Sequence, residues 1–218
     1  MFAQLGSEIP LEALIPGVIV QSGNDAAIVL AEGIAGSEAN FARMMTERAR
    51  ELGFTVSTFR NATGLPDEEQ KVTMKEMVGL ARHIWREYPD FYQYYSVPDY
   101  EWNGITQRNR NPLLRMNVGA DGLKTGYIEA SGYALVASAE RDGMRVFLAI
   151  SGLESERERA EEARKLIEWG MRAFERVPLY DEGEIVGAAR IYGGGQASVG
   201  LTSPEPIAML LPVAGRDR

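Results

Sequence analysis

The sequence contains no cysteine and a single histidine, His83, among its 218 residues. It can therefore form neither a disulfide nor a thiolate or multi-histidine metal site, and we expect neither a metal nor a cofactor. Basic residues are also few, since 23 Lys and Arg stand against 31 Asp and Glu and leave a net charge of -8. This balance argues against a nucleic-acid surface, because little positive charge remains to neutralise phosphates. Small or peptidic ligands are the expected partners.

Long hydrophobic runs are absent as well. No segment approaches the roughly 20 apolar residues of a membrane helix, and the start at 1–4 has neither a basic region nor an apolar core of a signal peptide. Taken alone, the chain carries no recognisable export signal. With 45% hydrophobic and 25% charged residues, its composition is that of an ordinary globular protein, and its length suits one domain plus a smaller unit.

Helices are predicted from caps and from apolar residues at helical spacing. A short apolar helix is expected over 25–34, and Ser37 predicts the cap of a second helix that Gly53 ends. Thr73 and Ser155 are each followed three residues later by glutamate, which is the signature of a capping box. The sequence therefore predicts at least four helices that pack through one face.

Between these helices the apolar spacing becomes that of strands. Segments 133–139 and 145–150 alternate, and Asp142-Gly143 between them predicts the turn of an antiparallel hairpin. The extended stretch around Lys124-Thr125-Gly126 is expected on a neighbouring strand. Helices packed on a mainly antiparallel sheet give an α/β fold.

A second unit is predicted near the end of the chain. After Val177-Pro178 the helical pattern ends, and short strands are expected over 184–192, 197–201 and 207–213. We therefore place a first domain at 1–177 and the start of a small, β-rich domain at 178–218. About 40 residues barely suffice to bury a core, so this second unit should be incomplete or should lean on the first.

Two tripeptides could carry chemistry. Ser22-Gly23-Asn24 lies where a loop enters a helix and can present a hydroxyl and an amide to a cleft. On a strand, Lys124-Thr125-Gly126 offers a cation and a hydroxyl to a carboxylate, and its glycine lets a peptide pair with the strand edge. Taken singly, the first also fits a helix cap and the second a solvated lysine before a turn.

Their order and separation point to serine penicillin-recognising enzymes, whose motif set is Ser-x-x-Lys, a serine-asparagine element and Lys-Thr-Gly. Segments 17–26, 61–65, 109–111 and 121–126 resemble, in series, the low-molecular-mass penicillin-binding proteins, which are serine-type D-alanyl-D-alanine carboxypeptidases. The resemblance runs from about Leu5 to about Glu175. It implies a penicillin-binding/β-lactamase-like fold.

In that family, the serine of Ser-x-x-Lys attacks the bond between two terminal D-alanines of a peptidoglycan stem peptide and forms an acyl-enzyme, which water hydrolyses. The lysine of that element serves as base, and β-lactams trap the same serine as inhibitors. By this resemblance, Ser22 is a second serine that relays a proton to the leaving amine. Asn24 would hydrogen-bond the substrate amide.

The resemblance also assigns the substrate carboxylate. Lys124 and Thr125 would hold it, and the strand after Gly126 would supply backbone groups to the substrate and part of the oxyanion hole. Arg159 matches the family's arginine near that carboxylate, and Arg110 matches one that lines the cleft. Without the resemblance, both arginines would be read as surface ion-pair residues.

One motif is missing. No serine in the sequence is followed three positions later by lysine, and Ser57 has at that spacing Arg60, an arginine that cannot act as a base. The family places its Ser-x-x-Lys several tens of residues before the serine-asparagine element, but only 21 residues precede Ser22. We therefore expect the domain to be truncated at its N-terminus, with Met1 an internal start, the start of a truncated gene model or a fragment boundary, and the chain alone to be inactive. The intact remaining motifs favour this over a diverged pseudoenzyme.

Two other functions remain open. The chain could be a non-catalytic fragment that binds or scaffolds peptidoglycan peptides. It could, less simply, belong to a β-lactamase, although the sequence has no convincing Glu-x-x-x-Asn candidate for the deacylating loop of such enzymes. For the full-length protein, the resemblance implies a periplasmic or cell-envelope location, with membrane anchoring possible only through a segment that this sequence lacks.

Overall fold

The computed structural model describes residues 1–4 and 6–213. Contacts divide the chain into two compact units, of which the first is Met1–Glu168 and the second begins at Trp169. This division falls inside the last helix. The domain boundary that the sequence predicts after Val177 remains a prediction.

Three helices open the first unit: α1 (Leu11–Ile19), α2 (Asn24–Ala35) and α3 (Glu38–Glu51). The predicted cap of α3 is confirmed, since Ser37 Oγ accepts a hydrogen bond of 3.2 Å from the Asn40 amide. Helix α1 was not predicted, because its apolar residues run without a polar face and Pro16 lies inside it. Small residues of these helices, Ala13 and Ala26 among them, are buried together.

Helix α4 (Met74–Glu87) follows a long loop and leads into a short helix, α5 (Pro89–Tyr92). Thr73 caps α4 by accepting a hydrogen bond of 3.1 Å from the Glu76 amide. The predicted capping box is only half formed, however. The Glu76 carboxylate accepts hydrogen bonds from the Ser57 amide at 2.7 Å and the Ser57 hydroxyl at 2.5 Å instead. The Glu76 side chain therefore links α4 to the preceding loop instead of completing the capping box.

A small hairpin, not predicted from the sequence, consists of β1 (Asp99–Trp102) and β2 (Ile105–Arg108). Its turn is Asn103-Gly104, and both residues have positive φ, as a two-residue hairpin turn requires. The Asn-Gly pair was therefore the sequence feature from which this hairpin could have been predicted. Single turns of 3-10 helix lie before the hairpin at Gln93–Ser96 and after it at Pro112–Arg115.

The central sheet has the order β3-β4-β5 and is antiparallel throughout, which confirms the predicted hairpin and its neighbouring strand. Its strands are β3 (Ala120–Ile128), β4 (Gly132–Arg141) and β5 (Met144–Leu153). Asp142 and Gly143 form the turn with φ of 52° and 75°. Lys124 lies on β3 opposite Val136 of β4.

Helix α4 packs on this sheet, which gives the predicted helix-on-sheet arrangement. Ala81 of α4, Tyr92 and Leu123 form the buried centre of the contact. Helix α6 (Glu156–Ala173) follows β5 and begins with the predicted cap, since the Glu158 amide donates to Ser155 Oγ at 3.1 Å.

The second unit contains two strand pairs. Strand β6 (Phe174–Tyr180) pairs with β9 (Ile207–Pro212), and β7 (Ile185–Arg190) pairs with β8 (Ser198–Thr202), both antiparallel. Strands β7, β8 and β9 confirm the three predicted strands. The sequence interpretation missed β6, because its residues continue the apolar spacing of α6. None of the described helices is both long and apolar enough to cross a membrane.

Candidate active site

Ser22 lies in the short connection between α1 and α2. Its φ is +56°, a left-handed conformation that is uncommon for a residue with a side chain. The connection is held on both sides of the serine. The Gly23 amide donates to the Gly17 carbonyl at 3.0 Å, and the buried Gln21 amide group donates to the Tyr100 carbonyl at 3.3 Å. The backbone therefore fixes where the Ser22 hydroxyl is presented.

Lys124 meets this serine from the central sheet. Its Nζ donates to Ser22 Oγ at 2.7 Å and to the carbonyl of Thr125 at 3.0 Å. The two motifs, 102 positions apart in sequence, are thus in direct contact. The carbonyl of Thr125 also fixes the rotation of the ammonium, which leaves its remaining donor for a ligand.

The pKa of Lys124 is lowered to about 8, first because burial disfavours the charged form and then because Arg110 and Arg159 are positive. At neutral pH the side chain is therefore still mostly an ammonium, and it can lose its proton within the physiological range. Such a group can bind an anion or exchange a proton, depending on what occupies the site.

Arg110 is itself exposed, but the loop that carries it is built from two buried asparagines. Asn109 Nδ2 donates to the carbonyls of Tyr95 and Val97. Asn111 Nδ2 donates to the Gly122 carbonyl at 2.8 Å. The last bond ties the Arg110 loop to the strand of Lys124, two residues before the lysine. The sequence interpretation noted segment 109–111 without anticipating this tether.

Arg159 is nearly buried, with 5% of its surface exposed. Its guanidinium lies over the Tyr133 ring at 5.6 Å, and its Nε has no hydrogen-bond partner among the described residues. Burial, above all, lowers the pKa of Arg159 below its usual value. A buried cation with an unsatisfied donor favours an anionic ligand, so Arg159 is not the exposed ion-pair residue that its sequence context alone suggests.

The remaining predicted residues lie within two positions of Ser22 or Lys124 in the chain. Asn24 is the first residue of α2 and is exposed, and Thr125 is partly buried next to Lys124. Gly126 lies on β3, which has a hydrogen-bonded neighbour on one side only among the described strands. A Cβ built at Gly126 would meet nothing closer than Ala134 Cβ at 3.8 Å. The strand edge beside the lysine is thus open to a peptide.

A second polar network holds the beginning of β3, and nothing in the sequence indicated it. The Tyr92 hydroxyl donates to Asp121 Oδ1 at 2.9 Å, and Arg145 donates to Asp121 Oδ2 at 2.7 Å and to Ser138 Oγ at 2.6 Å. Burial raises the pKa of Tyr92 above its usual value, so the phenol remains a donor. The network fixes the strand three residues before Lys124.

Ser57 has a structural role. It is fully buried, and its hydroxyl donates to Glu76 as described above. Its neighbour at the spacing of interest, Arg60, forms an ion pair of 3.1 Å with Glu69. In residues 1–4 and 6–213, no cluster of three or more acidic or histidine side chains could hold a metal ion.

We expect replacement of Arg110 by alanine to raise the pKa of Lys124, because a neighbouring positive charge is removed. The measurement is an NMR titration of the Lys124 side chain. Arg141, exposed in the β4–β5 hairpin, provides a matched control, and its replacement by alanine should leave the titration unchanged. An unchanged or lowered Lys124 pKa in the Arg110→Ala variant would contradict the electrostatic coupling.

Known proteins resemble this chain over nearly its whole length. Residues 1–154 match the D-alanyl-D-alanine carboxypeptidase family. The D-alanyl-D-alanine carboxypeptidase DacD of Escherichia coli is 39% identical over 217 residues, which cover 98% of this chain and 55% of the relative. This chain therefore spans about half the length of that relative.

Solved structures agree. Penicillin binding protein 5 from Haemophilus influenzae superposes with a TM-score of 0.90 at 34% identity, over 100% of this chain and 64% of that one. Penicillin-binding protein D2 from Listeria monocytogenes, solved in its ampicillin-bound form, superposes with a TM-score of 0.68 at 30% identity, over 73% of this chain and 67% of that one. The predicted penicillin-binding fold is confirmed. The chain belongs to the D-alanyl-D-alanine carboxypeptidase family.

Proposed function

We propose that this protein is a serine-type D-alanyl-D-alanine carboxypeptidase, which removes the terminal D-alanine from peptidoglycan stem peptides through an acyl-enzyme. The observation that carries the proposal is the contact of 2.7 Å between Lys124 Nζ and Ser22 Oγ at an open strand edge. The contact places an ammonium that can bind an anion next to a hydroxyl that can carry a proton, at an edge where an extended peptide can bind.

The anionic end of the substrate determines its orientation. Lys124, Arg110 and Arg159 are three cations whose charges act on one another, so a single carboxylate is stabilised by all three. Thr125 adds a hydroxyl beside the lysine. A peptide that ends in a free carboxylate therefore binds with its C-terminus at Lys124, which is the requirement for a carboxypeptidase.

The rest of the peptide follows from the strand. With its carboxylate at Lys124, the substrate extends along the free edge of β3 and exchanges backbone hydrogen bonds near Gly126. Asn24, exposed at the start of α2, donates to the substrate amide. Ser22 then carries a proton between Lys124 and the leaving amine, which must be protonated for the peptide bond to break.

The nucleophile in this proposal belongs to a Ser-x-x-Lys element that the 218 residues do not contain. Its serine attacks the carbonyl of the penultimate D-alanine, and its lysine accepts the proton. β-Lactams acylate the same serine, in line with the ampicillin-bound relative from Listeria monocytogenes. Because the substrate is a cell-wall peptide, we place the full-length protein in the periplasm or cell envelope.

The test compares the 218-residue chain with a chain extended upstream through a Ser-x-x-Lys element. We expect a fluorescent penicillin to label only the extended chain, and only that chain to release D-alanine from a peptide ending in D-Ala-D-Ala. Penicillin labelling of the short chain would contradict the assignment of the nucleophile.

The same comparison separates the alternatives. Binding of the peptide by the extended chain without labelling or D-alanine release favours a non-catalytic scaffold. Sustained nitrocefin hydrolysis by the extended chain favours a β-lactamase.

A further inference from the structure

We propose that Ser22 and Lys124 form an acyl-transfer pair of their own, in which Ser22 is the nucleophile toward small, uncharged, activated esters. This reaction needs no Ser-x-x-Lys element and is independent of the carboxypeptidase activity proposed above. It would give the 218-residue chain an esterase activity.

The geometry is that of a nucleophile beside its base. Ser22 Oγ and Lys124 Nζ are 2.7 Å apart, within the range in which a proton can pass between them. Serine with lysine as its base is a known variant of the serine-histidine pair. Both partners are held in place, the serine by the bonds of Gly23 and Gln21 and the lysine by the Thr125 carbonyl.

A base must be able to lose its proton near the working pH. The charged groups that act on Lys124 are Arg110, on the loop after β2, and Arg159, on α6, and both are positive. In the part of the chain that the structure describes, no carboxylate forms an ion pair with this lysine. The nearest acid on α2, Asp25, is bound to the amides of Ala3 and Ala26 and to the Met1 amine. The neutral amine is therefore accessible in mildly alkaline solution.

The surroundings of Ser22 also favour the charges that develop during attack. The serine lies directly before the 12-residue helix α2, whose N-terminal end has a positive potential. The positive charge of Arg159 acts on Lys124, and its buried Nε has no hydrogen-bond partner among the described residues, so an oxyanion that forms beside the lysine meets an unpaired donor. Ser22 is partly exposed, which leaves room for a small acyl donor.

The reaction has two steps, acylation of Ser22 and hydrolysis of the acyl-serine. Ser22 Oγ forms a bond to the ester carbonyl carbon while its proton passes to neutral Lys124 Nζ. The tetrahedral intermediate collapses, the bond to the leaving alkoxide or phenoxide breaks, and the Lys124 ammonium returns the proton to it or to solvent. Water then attacks the acyl-serine and gives its proton to neutral Lys124. As the bond from the acyl carbon to Ser22 Oγ breaks, the Lys124 ammonium returns that proton to Oγ, which releases the carboxylic acid and restores the free serine and the neutral lysine.

The charge of the ligand decides which reaction occurs. A carboxylate at Lys124 stabilises the ammonium and so raises its pKa, which removes the base that Ser22 needs. Peptides and penicillins carry such a carboxylate, and small neutral esters do not. The pair should therefore act on p-nitrophenyl acetate but not on penicillin, and acetate should inhibit it.

The test follows p-nitrophenol release from p-nitrophenyl acetate by the 218-residue chain, with peptide mass spectrometry to locate the acetyl group. We expect the rate to increase with pH up to an apparent pKa near 8, the value of Lys124. Ser22→Ala should reduce the rate to that of the solution reaction. Lys124→Ala should reduce it about 10²-fold or more, because general bases contribute that much.

Ser96→Ala is the matched control, since Ser96 is an exposed serine whose hydroxyl donates only to the Gln93 carbonyl. Its replacement should change neither the rate nor the label. Acetyl found on Lys124 with Ser22 unmodified would overturn the proposal, because the amine would then be the nucleophile. A wild-type rate equal to that of Ser22→Ala would overturn it as well, as would a chain that shows no cooperative melt and no acetyl-serine. None of these outcomes bears on D-alanine release by the extended chain.

Discussion

Replacement of Lys124 by alanine should lower kcat/KM for D-alanine release by about 10²-fold or more in the chain extended through Ser-x-x-Lys. Loss of one partner from a desolvated charge pair removes roughly 2–5 kcal/mol, and every 1.4 kcal/mol is tenfold. Lys124 is mostly removed from solvent and is the cation closest to the proton-carrying serine. The measurement is steady-state kinetics with a peptide that ends in D-Ala-D-Ala.

A control variant and a modified substrate separate the loss of the Lys124 charge from a general disturbance of the protein. Lys165 is exposed on α6 and pairs with Glu162 at 2.6 Å, so Lys165→Ala should leave the kinetics unchanged. Amidation of the terminal carboxylate of the substrate should lower kcat/KM strongly with the wild-type protein and little with Lys124→Ala. Equal discrimination by both proteins would mean that the carboxylate binds elsewhere.

Replacement of Arg145 by alanine should lower the free energy of unfolding by about 2–3 kcal/mol, because hydrogen bonds to charged groups contribute roughly 1.5–3 kcal/mol each and the partly buried Asp121 loses its cation. Arg145 bonds Asp121 and Ser138 and lies 4.9 Å from the centre of the Trp85 ring. Urea denaturation measures the change.

Arg157→Ala provides the comparison. Arg157 forms an ion pair of 2.7 Å with Glu161 one turn along α6, and its side chain is 87% exposed. Exposed pairs of this kind contribute about 0.5 kcal/mol or less. Equal losses from the two variants would indicate that the Asp121 network adds no stability beyond an ordinary surface pair.

Elements set by local chemistry were predictable. Ser37 and Ser155 satisfy the amides at the starts of α3 and α6, and Asp142-Gly143 supplies the positive φ of the β4–β5 turn. Such signals reside within a few residues of the element that they determine. The strand β6 escaped prediction because its pairing partner, β9, lies some thirty residues further on, and only that pairing distinguishes it from a continuing helix.

The residues of the candidate site also differ in whether the sequence could predict them. Its cations and hydroxyls were recognisable because their residue types and order resemble those of a family. The residues that hold them were not, because Asn111 and Asp121 act through single tertiary contacts, with Gly122 in one case and with Tyr92 and Arg145 in the other. An asparagine or aspartate has many possible partners, and sequence spacing alone does not choose among them.

The close approach of Tyr92 to Gly122 has a consequence for how this strand can vary. A Cβ at position 122 would lie 2.7 Å from the tyrosine hydroxyl oxygen, and the carbonyl of the same residue is already bound by Asn111. Substitutions near Lys124 are therefore tolerated on its C-terminal side along β3 and not at Gly122 on its N-terminal side. Randomised libraries that aim at new peptide specificity should spare position 122 and begin at Tyr127, which follows Gly126 on β3 and is 58% exposed.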